Sequence, residues 1–279
     1  MEARKAKHGW IWTTLFSVIS VAWVFPIFLV VLNSFKKKVY ISKKPFAIPT
    51  GKMFVGLENY VNGINKTGLI SAFGWSVFIT VFSVAAIILF CSMTAWYITR
   101  VKSKVTSTIY YLCLFSMIVP FQMVMYTLSK IANMLKLGNP VGIIVVYLGF
   151  GAGLSVFMFT GFCKSIPSEI EEAAMIDGCN PLQTFFKVVM PIMKPTCITV
   201  TILQAMWIWN DYLLPSLVLD QKKYKTIPIA VQYLKGGYGS VDMGAMMGVL
   251  VIAIVPIIIF YIACQRYIIE GVVAGAVKG

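Results

Sequence analysis

Long uncharged apolar runs alternate with short charged segments along the whole chain. Six windows carry almost no charge, and only the fifth contains a charged residue, Asp211; they cover residues 10–35, 69–99, 105–129, 137–163, 195–219 and 243–265. Each exceeds the roughly 20 residues that a helix needs to cross ~30 Å of hydrocarbon. Because a segment in hydrocarbon must satisfy its own backbone hydrogen bonds, helices are the expected form. The pattern predicts an all-α, polytopic membrane protein with six transmembrane helices.

Composition supports this interpretation. The 279 residues are 59% hydrophobic and only 12% charged, whereas soluble domains carry about 25% charged residues. Such a chain is neither a soluble globular enzyme nor a disordered protein. Its net charge of +14 comes from basic residues that lie between the apolar runs and form no continuous stripe. We therefore expect a lipid bilayer as the partner of this charge and no nucleic acid.

The sequence offers no catalytic or metal-binding constellation. Five of the six cysteines lie inside apolar runs without CxxC spacing, and His8 is the single histidine. The chain has no phosphate-binding loop of the Gly-x-x-x-x-Gly-Lys-Ser/Thr type and no paired intramembrane carboxylates. We expect no catalytic residue, no metal and no cofactor in this chain.

One long polar segment, residues 165–195, contains many helix-start and helix-stop signals. Ser168 and Glu171 have the spacing of a capping box. Gly178 can adopt the left-handed conformation that ends a helix, and Asn180, followed by proline, can begin the next one. The signals predict a helix–Gly–helix unit between spans four and five.

The composition of this unit suggests a docking element. Its first helix combines small Ala173 and Ala174 with acidic Glu169 and Glu172, which permits close approach and charge-assisted pairing. The second helix carries an apolar stripe before Pro191 ends it, formed by Leu182, Phe185, Phe186 and Val189. A knob for a protein socket and an amphipathic helix on the membrane surface both fit these residues.

The same segment resembles a known motif. Glu172-Ala173-Ala174 is followed after three residues by Gly178, and after nine more by Val188-Val189-Met190-Pro191. This spacing is similar to the EAA loop of permease subunits of binding-protein-dependent ABC importers, with Val188 and Met190 replacing the usual Ile and Leu. The resemblance implies coupling to an ATPase through Glu172, Ala173, Ala174, Asp177, Gly178 and Pro191.

Further motifs narrow the resemblance to the carbohydrate branch, in particular to the second, shorter permease of maltose-type and multiple-sugar importers. They are Ile176-Asp177-Gly178, Trp209-Asn210-Asp211, Pro215 and the stretch from Gln265-Arg266 to Gly279. The resemblance implies a homologous second permease, an extracellular or periplasmic sugar-binding protein, and two ATPase subunits that hold ATP and Mg.

Topology follows from the resemblance rather than from charge. Lys and Arg divide almost evenly between the two sides, so the positive-inside rule does not orient the chain. In the family the EAA loop is cytoplasmic, which implies that both termini are cytoplasmic in a bacterial cell membrane. The expected organisation is a cytoplasmic N-terminus (1–9), a six-span transmembrane domain (10–267) containing the loop at 165–195, and a cytoplasmic tail (268–279).

Two further sets of residues are candidates for contact with substrate or partner. Gln204, Trp207 and Asp211 share one stripe of span five and offer amide, aromatic and carboxylate groups to a sugar; an interfacial aromatic belt or helix packing would equally explain them. The resemblance implies that the loop after span five contacts the binding protein, through Lys235, Gly236, Gly237 and Tyr238; an ordinary Gly-rich hairpin is the alternative.

Together these features predict a permease subunit of an ATP-driven oligosaccharide importer, forming half of the translocation pathway. An ABC importer permease for a non-sugar solute is the nearest alternative. A secondary transporter would place several ionisable residues in mid-membrane, where this chain has only Asp211.

Overall fold

The computed structural model describes residues 9–234 and 242–276, with side chains described as far as Tyr267. Within these ranges the ordered elements are helices, apart from one isolated bridge between Lys36 and Phe54. The helices are α1 (Gly9–Ser34), α2 (Lys38–Lys43), α3 (Glu58–Thr67), α4 (Leu69–Arg100), α5 (Lys104–Ile118), α6 (Phe121–Met134), α7 (Pro140–Cys163), α8 (Ser168–Ile176), α9 (Pro181–Thr184), α10 (Met190–Ile192), α11 (Lys194–Asn210), α12 (Leu213–Val218), α13 (Ile227–Gln232) and α14 (Met243–Ala276). The all-α prediction is confirmed.

Four of these helices are straight, long and apolar enough to cross a membrane: α1, α4, α7 and the first 25 residues of α14. Two further candidates are bent pairs. The helices α5 and α6 meet at 110°, and Pro181–Ile192 meets α11 at 76°. The described chain therefore provides four straight spans, and six only if each bent pair counts as one.

The third apolar window is not the single helix that its hydropathy predicts. Helix α5 ends at Ile118, Val119 is extended with φ −73° and ψ 116°, and α6 begins after Pro120. Proline has no N–H to donate and disfavours the helical conformation in the residue before it, so the chain turns at this point.

The fifth window is also divided. Helix α11 ends at Asn210, Asp211 is extended, and α12 starts again at Leu213. The Asp211 carboxylate accepts hydrogen bonds from the backbone N–H groups of Leu213 (2.9 Å) and Leu214 (3.3 Å). An acidic side chain that satisfies the first free amides of a helix favours a helix start, which explains the interruption.

The chain divides into two compact units. Unit 1 contains the described residues up to Leu69 and the described residues between 230 and 256. Among its buried residues is Lys36, whose side chain is fully buried and whose ammonium donates to the Asn33 amide oxygen and to the carbonyls of Lys44 and Pro45. Asn59 on α3 donates in turn to the carbonyls of Ser34 and Lys36. These bonds fix the chain that follows α1.

Unit 2 contains residues 70–229 and the described residues after Pro256. Its apolar core draws on α4, α7, the segment 185–193 and α11. Gly151 on α7 permits close packing, because a Cβ there would lie 2.6 Å from the Ile87 side chain of α4. Small residues at helix contacts are typical of membrane proteins.

Candidate functional site

The helix–Gly–helix geometry forms as the local sequence signals predict. Helix α8 ends at Ile176, and Gly178 has a φ of +87°, which side chains rarely adopt. Asn180 caps the next helix, exchanging hydrogen bonds of 2.9 Å with Gln183, and Pro181 is its first residue. A Cβ at Gly178 would have open space around it. Its requirement for glycine is therefore conformational and not steric.

The expected capping box of Ser168 and Glu171 is wrong. Ser168 is already the first helical residue, and Pro167 occupies the cap position without a side-chain hydrogen bond. Glu171 instead turns inward: its Oε1 accepts from Arg100 Nε (2.9 Å) and Nη2 (2.6 Å), and its Oε2 accepts from Trp96 Nε1 (2.9 Å). A charged guanidinium that donates two hydrogen bonds is a stronger partner for the carboxylate than the free amide of a helix start.

This ion pair fastens α8 to the end of α4. The Glu171 side chain is 5% exposed and that of Arg100 is 24% exposed, and Arg100 Nη2 also donates to the Ile166 carbonyl at 2.9 Å. The ring of Trp96 packs against Phe185 with centroids 5.4 Å apart. One end of α4 thus holds both halves of the helix–Gly–helix unit.

The residues that the resemblance assigns to coupling separate into two groups. Ala174 is buried, whereas Glu172, Ala173, Asp177, Gly178 and Pro191 are exposed. One face of α8 is exposed along its length and combines acids, a small residue and an apolar side chain that is 86% exposed; it consists of Glu169, Glu172, Ala173 and Ile176. We call these four residues the α8 face.

The second half of the unit differs from the predicted stripe. Phe185 and Val189 are fully buried, but Leu182 and Phe186 are exposed. The chain forms a π turn over Phe185–Val189, which changes the number of residues per turn and takes the four positions off a common face. The helix ends at Ile192, one residue after Pro191.

The three predicted path residues all contact α7. Gln204 is buried, and its amide nitrogen donates to Ser155 Oγ at 3.1 Å and to the Gly151 carbonyl at 3.4 Å. The Trp207 ring meets that of Tyr147 edge-on, with centroids 5.4 Å apart, and the Tyr147 hydroxyl donates to Asp211 at 3.1 Å. These contacts bring the three residues together against α7, although Asp211 lies just beyond the end of α11 and not on the helical stripe expected for it.

The geometry assigns packing contacts to two of these residues. Asp211 uses one oxygen for Tyr147 and the other for the start of α12, and Gln204 lies inside the contact between α7 and α11. Trp207 is 40% exposed and keeps a free surface. Tyr147, which joins the stripe, was missed because a tyrosine in an apolar run has no distinctive spacing from its partner, 64 residues away.

Some predicted sites fall outside the described residues. The loop formed by Lys235, Gly236, Gly237 and Tyr238 is among them, as are residues 1–8 and 277–279. The segment 268–276, expected to be part of a tail, continues helix α14. Among the residues searched, no group of three or more His, Cys, Asp or Glu side chains could hold a metal ion.

The arrangement defines first a class of protein: a polytopic, all-helical membrane subunit with the fold of an ABC importer. A chain from the crystal structure of a bacterial ABC transporter involved in the import of the acidic polysaccharide alginate superposes with a TM-score of 0.78, at 21% identity, over 96% of this chain and 99% of that chain. This similarity establishes the fold.

Sequence comparison then gives the family. Residues 88–273 match the family described as binding-protein-dependent transport system inner membrane component, and the chain belongs to this family. It is 39% identical, over 95% of its length and 96% of the relative's, to a probable starch degradation products transport system permease protein of Thermoanaerobacterium thermosulfurigenes. A multiple sugar-binding transport system permease protein of Streptococcus mutans is 33% identical over 99% of both chains. These relatives are transport subunits and not enzymes, in agreement with the prediction for this chain.

Proposed function

We propose that this chain is the permease subunit of an ATP-driven importer of oligosaccharides and forms one half of its translocation pathway. The observation that carries this proposal is the 39% identity, across nearly the whole chain, to a permease named for starch degradation products. A second relative named for multiple sugars points to the same substrate class. A homologous permease would supply the other half of the pathway, and a sugar-binding protein would deliver the substrate.

The α8 face is the proposed docking site for the ATPase. Its two acids can pair with basic groups of a partner, and Ala173 and Ile176 can fill an apolar socket. The ion pair between Arg100 and the buried Glu171 would then transmit movement of α8 to α4. Two ATPase subunits would hold ATP and Mg, and this chain would hold neither. Gly178 and Pro191 shape the unit, while Asp177 borders the docking surface.

This assignment implies the topology. A docking site for a cytoplasmic ATPase places the helix–Gly–helix unit, and with it both termini, in the cytoplasm of a bacterial cell. The loop from Lys235 to Tyr238 would then face the binding protein. An impermeant thiol reagent should label a cysteine introduced at Lys223 in intact cells, and one at Asn180 only in inverted membrane vesicles. The reverse pattern would exclude this orientation.

Within the pathway, the three stripe residues would have different roles. Trp207 has an exposed aromatic surface of the kind that stacks on the apolar C–H face of a sugar. Gln204 and Asp211 would hold α11 and α12 against α7 and thereby position Trp207. Replacement of Trp207 by alanine should change sugar preference, whereas replacement of Gln204 or Asp211 should lower the stability of the subunit.

Reconstitution tests the proposal as a whole. The full chain, its partner permease, the ATPase and the binding protein are placed in proteoliposomes, and ATP hydrolysis is measured with a panel of oligosaccharides. We expect one oligosaccharide class to stimulate hydrolysis together with uptake. Stimulation only by a non-sugar solute would establish the nearest alternative, and uptake driven by an ion gradient without the ATPase would contradict an ATP-driven importer.

A further inference from the structure

A cavity of about 660 Å³ lies in unit 2, between the end of α4, the start of α5 and the end of α7. This volume falls within the ~300–1,000 Å³ typical of ligand pockets. Three cations line the cavity, namely Arg100, Lys102 and Lys164, and its described lining contains no aspartate or glutamate. Since Glu171 neutralises Arg100, the net positive charge comes from the two lysines.

The remaining lining is rich in hydroxyl groups. Serine and threonine side chains and two phenols surround the cavity, contributed by Thr99, Thr106, Ser107, Thr160, Ser168, Tyr110 and Tyr111. The Lys164 ammonium is 5.8 Å from the centre of the Tyr110 ring. Thr99 and Thr106 already donate to backbone carbonyls. The ammonium groups and the other hydroxyls are donors for an oxygen-rich anion such as phosphate.

Thr160 is the most informative member of this lining. It is 2% exposed, and its hydroxyl oxygen has no hydrogen-bond partner within the part of the chain that the structure describes. Thr94 and Thr99, in α4, instead donate to the carbonyl four residues earlier. A buried hydroxyl without a partner costs about 1–3 kcal/mol. Because Thr160 lines the cavity, an acceptor that reached its hydroxyl from there would satisfy it.

The position of the cavity suggests where the anion comes from. It lies where the apolar helices α4 and α7 end, next to Ser168, the first residue of α8. A shallower hollow beside it adds Lys104 to the same basic surface. Basic pockets between membrane helices at such a boundary bind the headgroups of anionic lipids.

We propose that this cavity is a binding site for a phosphate-bearing anion, supplied by the headgroup of an anionic phospholipid. Lys102 and Lys164 would pair with the phosphate, and the Thr160 hydroxyl would donate to one of its oxygens. The ligand would bridge the start of α5 and the end of α7 beside the ion pair that holds α8. Binding of the anion can be measured directly, so the test does not depend on the identity of the transported solute.

The test uses the assembled transporter in nanodiscs of phosphatidylcholine that contain a trace of photoreactive phosphatidylglycerol or photoreactive phosphatidylcholine. Mass spectrometry locates the labelled peptides. We expect the phosphatidylglycerol probe to label residues 98–111 or 160–168 in preference to the phosphatidylcholine probe. Millimolar inorganic phosphate distinguishes the two sources, because it would displace the label only if the site takes a free phosphate equally well.

Paired variants assign the site. The double replacement Lys102→Gln with Lys164→Gln should lower labelling about twenty-fivefold, which is about fivefold for each lysine. The matched control, Lys222→Gln with Lys223→Gln, alters two exposed lysines near Gly138, which precedes the far end of α7, and should leave labelling unchanged. Thr160→Val should reduce labelling several-fold and Thr160→Ser should restore it.

Each result decides the proposal. Lysine-dependent labelling that survives inorganic phosphate supports a lipid headgroup. Lysine-dependent binding of radiolabelled phosphate, without preferential lipid labelling, supports a site for a soluble phosphate-bearing anion and rejects the lipid as its source. The site is overturned if three results occur together. The two lipid probes label equally, the lysine variants keep this labelling, and no phosphate binds. All four lysines are exposed, so these variants should keep the thermal midpoint of the parent.

Discussion

Two cations, the fully buried Lys36 of unit 1 and the partly buried Arg100 of unit 2, are stabilised in different ways. Lys36 in unit 1 donates to one amide oxygen and two backbone carbonyls, all within nine residues of it along the chain. Arg100 in unit 2 pairs with the carboxylate of Glu171, 71 residues away. A cage of local neutral acceptors fixes one segment, whereas a long-range ion pair joins two elements. We therefore expect loss of Lys36 to have a local effect and loss of the ion pair to separate α8 from α4.

The acid–base properties of the two sites also differ. Burial lowers the pKa of the Lys36 ammonium below its ordinary value of 10.5, and the cage supplies no carboxylate among the partners described for it. A lowered pKa means that the folded state disfavours the charged form of Lys36 relative to the unfolded state. As pH rises from the folded-state pKa toward 10.5, the folded state loses this proton first, so the free energy of unfolding should increase. The bonds that Lys36 makes therefore do not fully offset the cost of burying its charge.

The largest expected effect is on the ion pair. Arg100→Met should destabilise the subunit by about 3–5 kcal/mol, because it leaves the Glu171 carboxylate buried without its cation. The double variant Arg100→Met with Glu171→Leu should recover much of that loss, since no buried charge remains. Thermal unfolding of the purified complex measures both. Equal destabilisation by the single and double variants would show that the loss of stability does not come from leaving the Glu171 carboxylate without its cation.

The cage of Lys36 should give a smaller and more local change. Lys36→Met leaves two carbonyls and an amide oxygen without their donor, at a cost of about 1–3 kcal/mol. Limited proteolysis should then cut residues 38–55 more rapidly, while attachment of the ATPase stays intact. Lys37→Met, which alters the exposed neighbour, is the control and should leave the cleavage rate unchanged.

The contrast between local and long-range contacts also explains what the sequence could reveal. The straight helices α1, α4, α7 and α14 were predictable because uninterrupted apolar runs have few alternatives in a membrane. The turn at Gly178 and the cap at Asn180 were predictable because their signals lie within a few residues of each other.

The remaining features depend on partners distant in sequence, or on the direction in which the chain bends at a proline. The sequence contains Pro120 inside the third apolar window, but hydropathy does not predict the 110° bend between α5 and α6. Spacing pairs Glu171 with Ser168, whereas in the fold Arg100 competes successfully for the carboxylate. Tyr147 bonds to Asp211 only after α7 and α11 have packed. A sequence without an alignment gives no indication of such pairs.

Replacement of Gly178 tests whether the turn between the two halves of the helix–Gly–helix unit needs a left-handed backbone conformation. Gly178→Ala should cost roughly 1–2 kcal/mol, because alanine is strained at a φ of +87° although its Cβ has room. The effect should appear as weaker attachment of the ATPase, together with a fall of a few degrees in the thermal midpoint of the complex. Attachment at parental strength would mean that the turn tolerates a side chain and that its geometry is not needed for docking.

The smallest expected effect concerns the second long-range contact of unit 2. Tyr147→Phe removes one hydrogen bond to Asp211 and should destabilise the subunit by about 1 kcal/mol. Because Asp211 keeps its bonds to the start of α12, transport selectivity should not change. A shift in sugar preference in this variant would indicate that Tyr147 and Asp211 contact the substrate, and that the contact is more than packing.

We propose that neighbouring glutamates have separate tasks: Glu171 holds α8 to α4, and Glu172 presents a charge to the ATPase. The most direct test compares Glu171→Ala and Glu172→Ala by thermal midpoint and by the amount of ATPase that co-purifies. We predict that Glu172→Ala loses the ATPase at an unchanged midpoint, whereas Glu171→Ala lowers the midpoint by the several degrees expected for a broken buried ion pair. If Glu172→Ala retained the ATPase fully while Glu171→Ala kept the parental midpoint, the division of tasks would be contradicted.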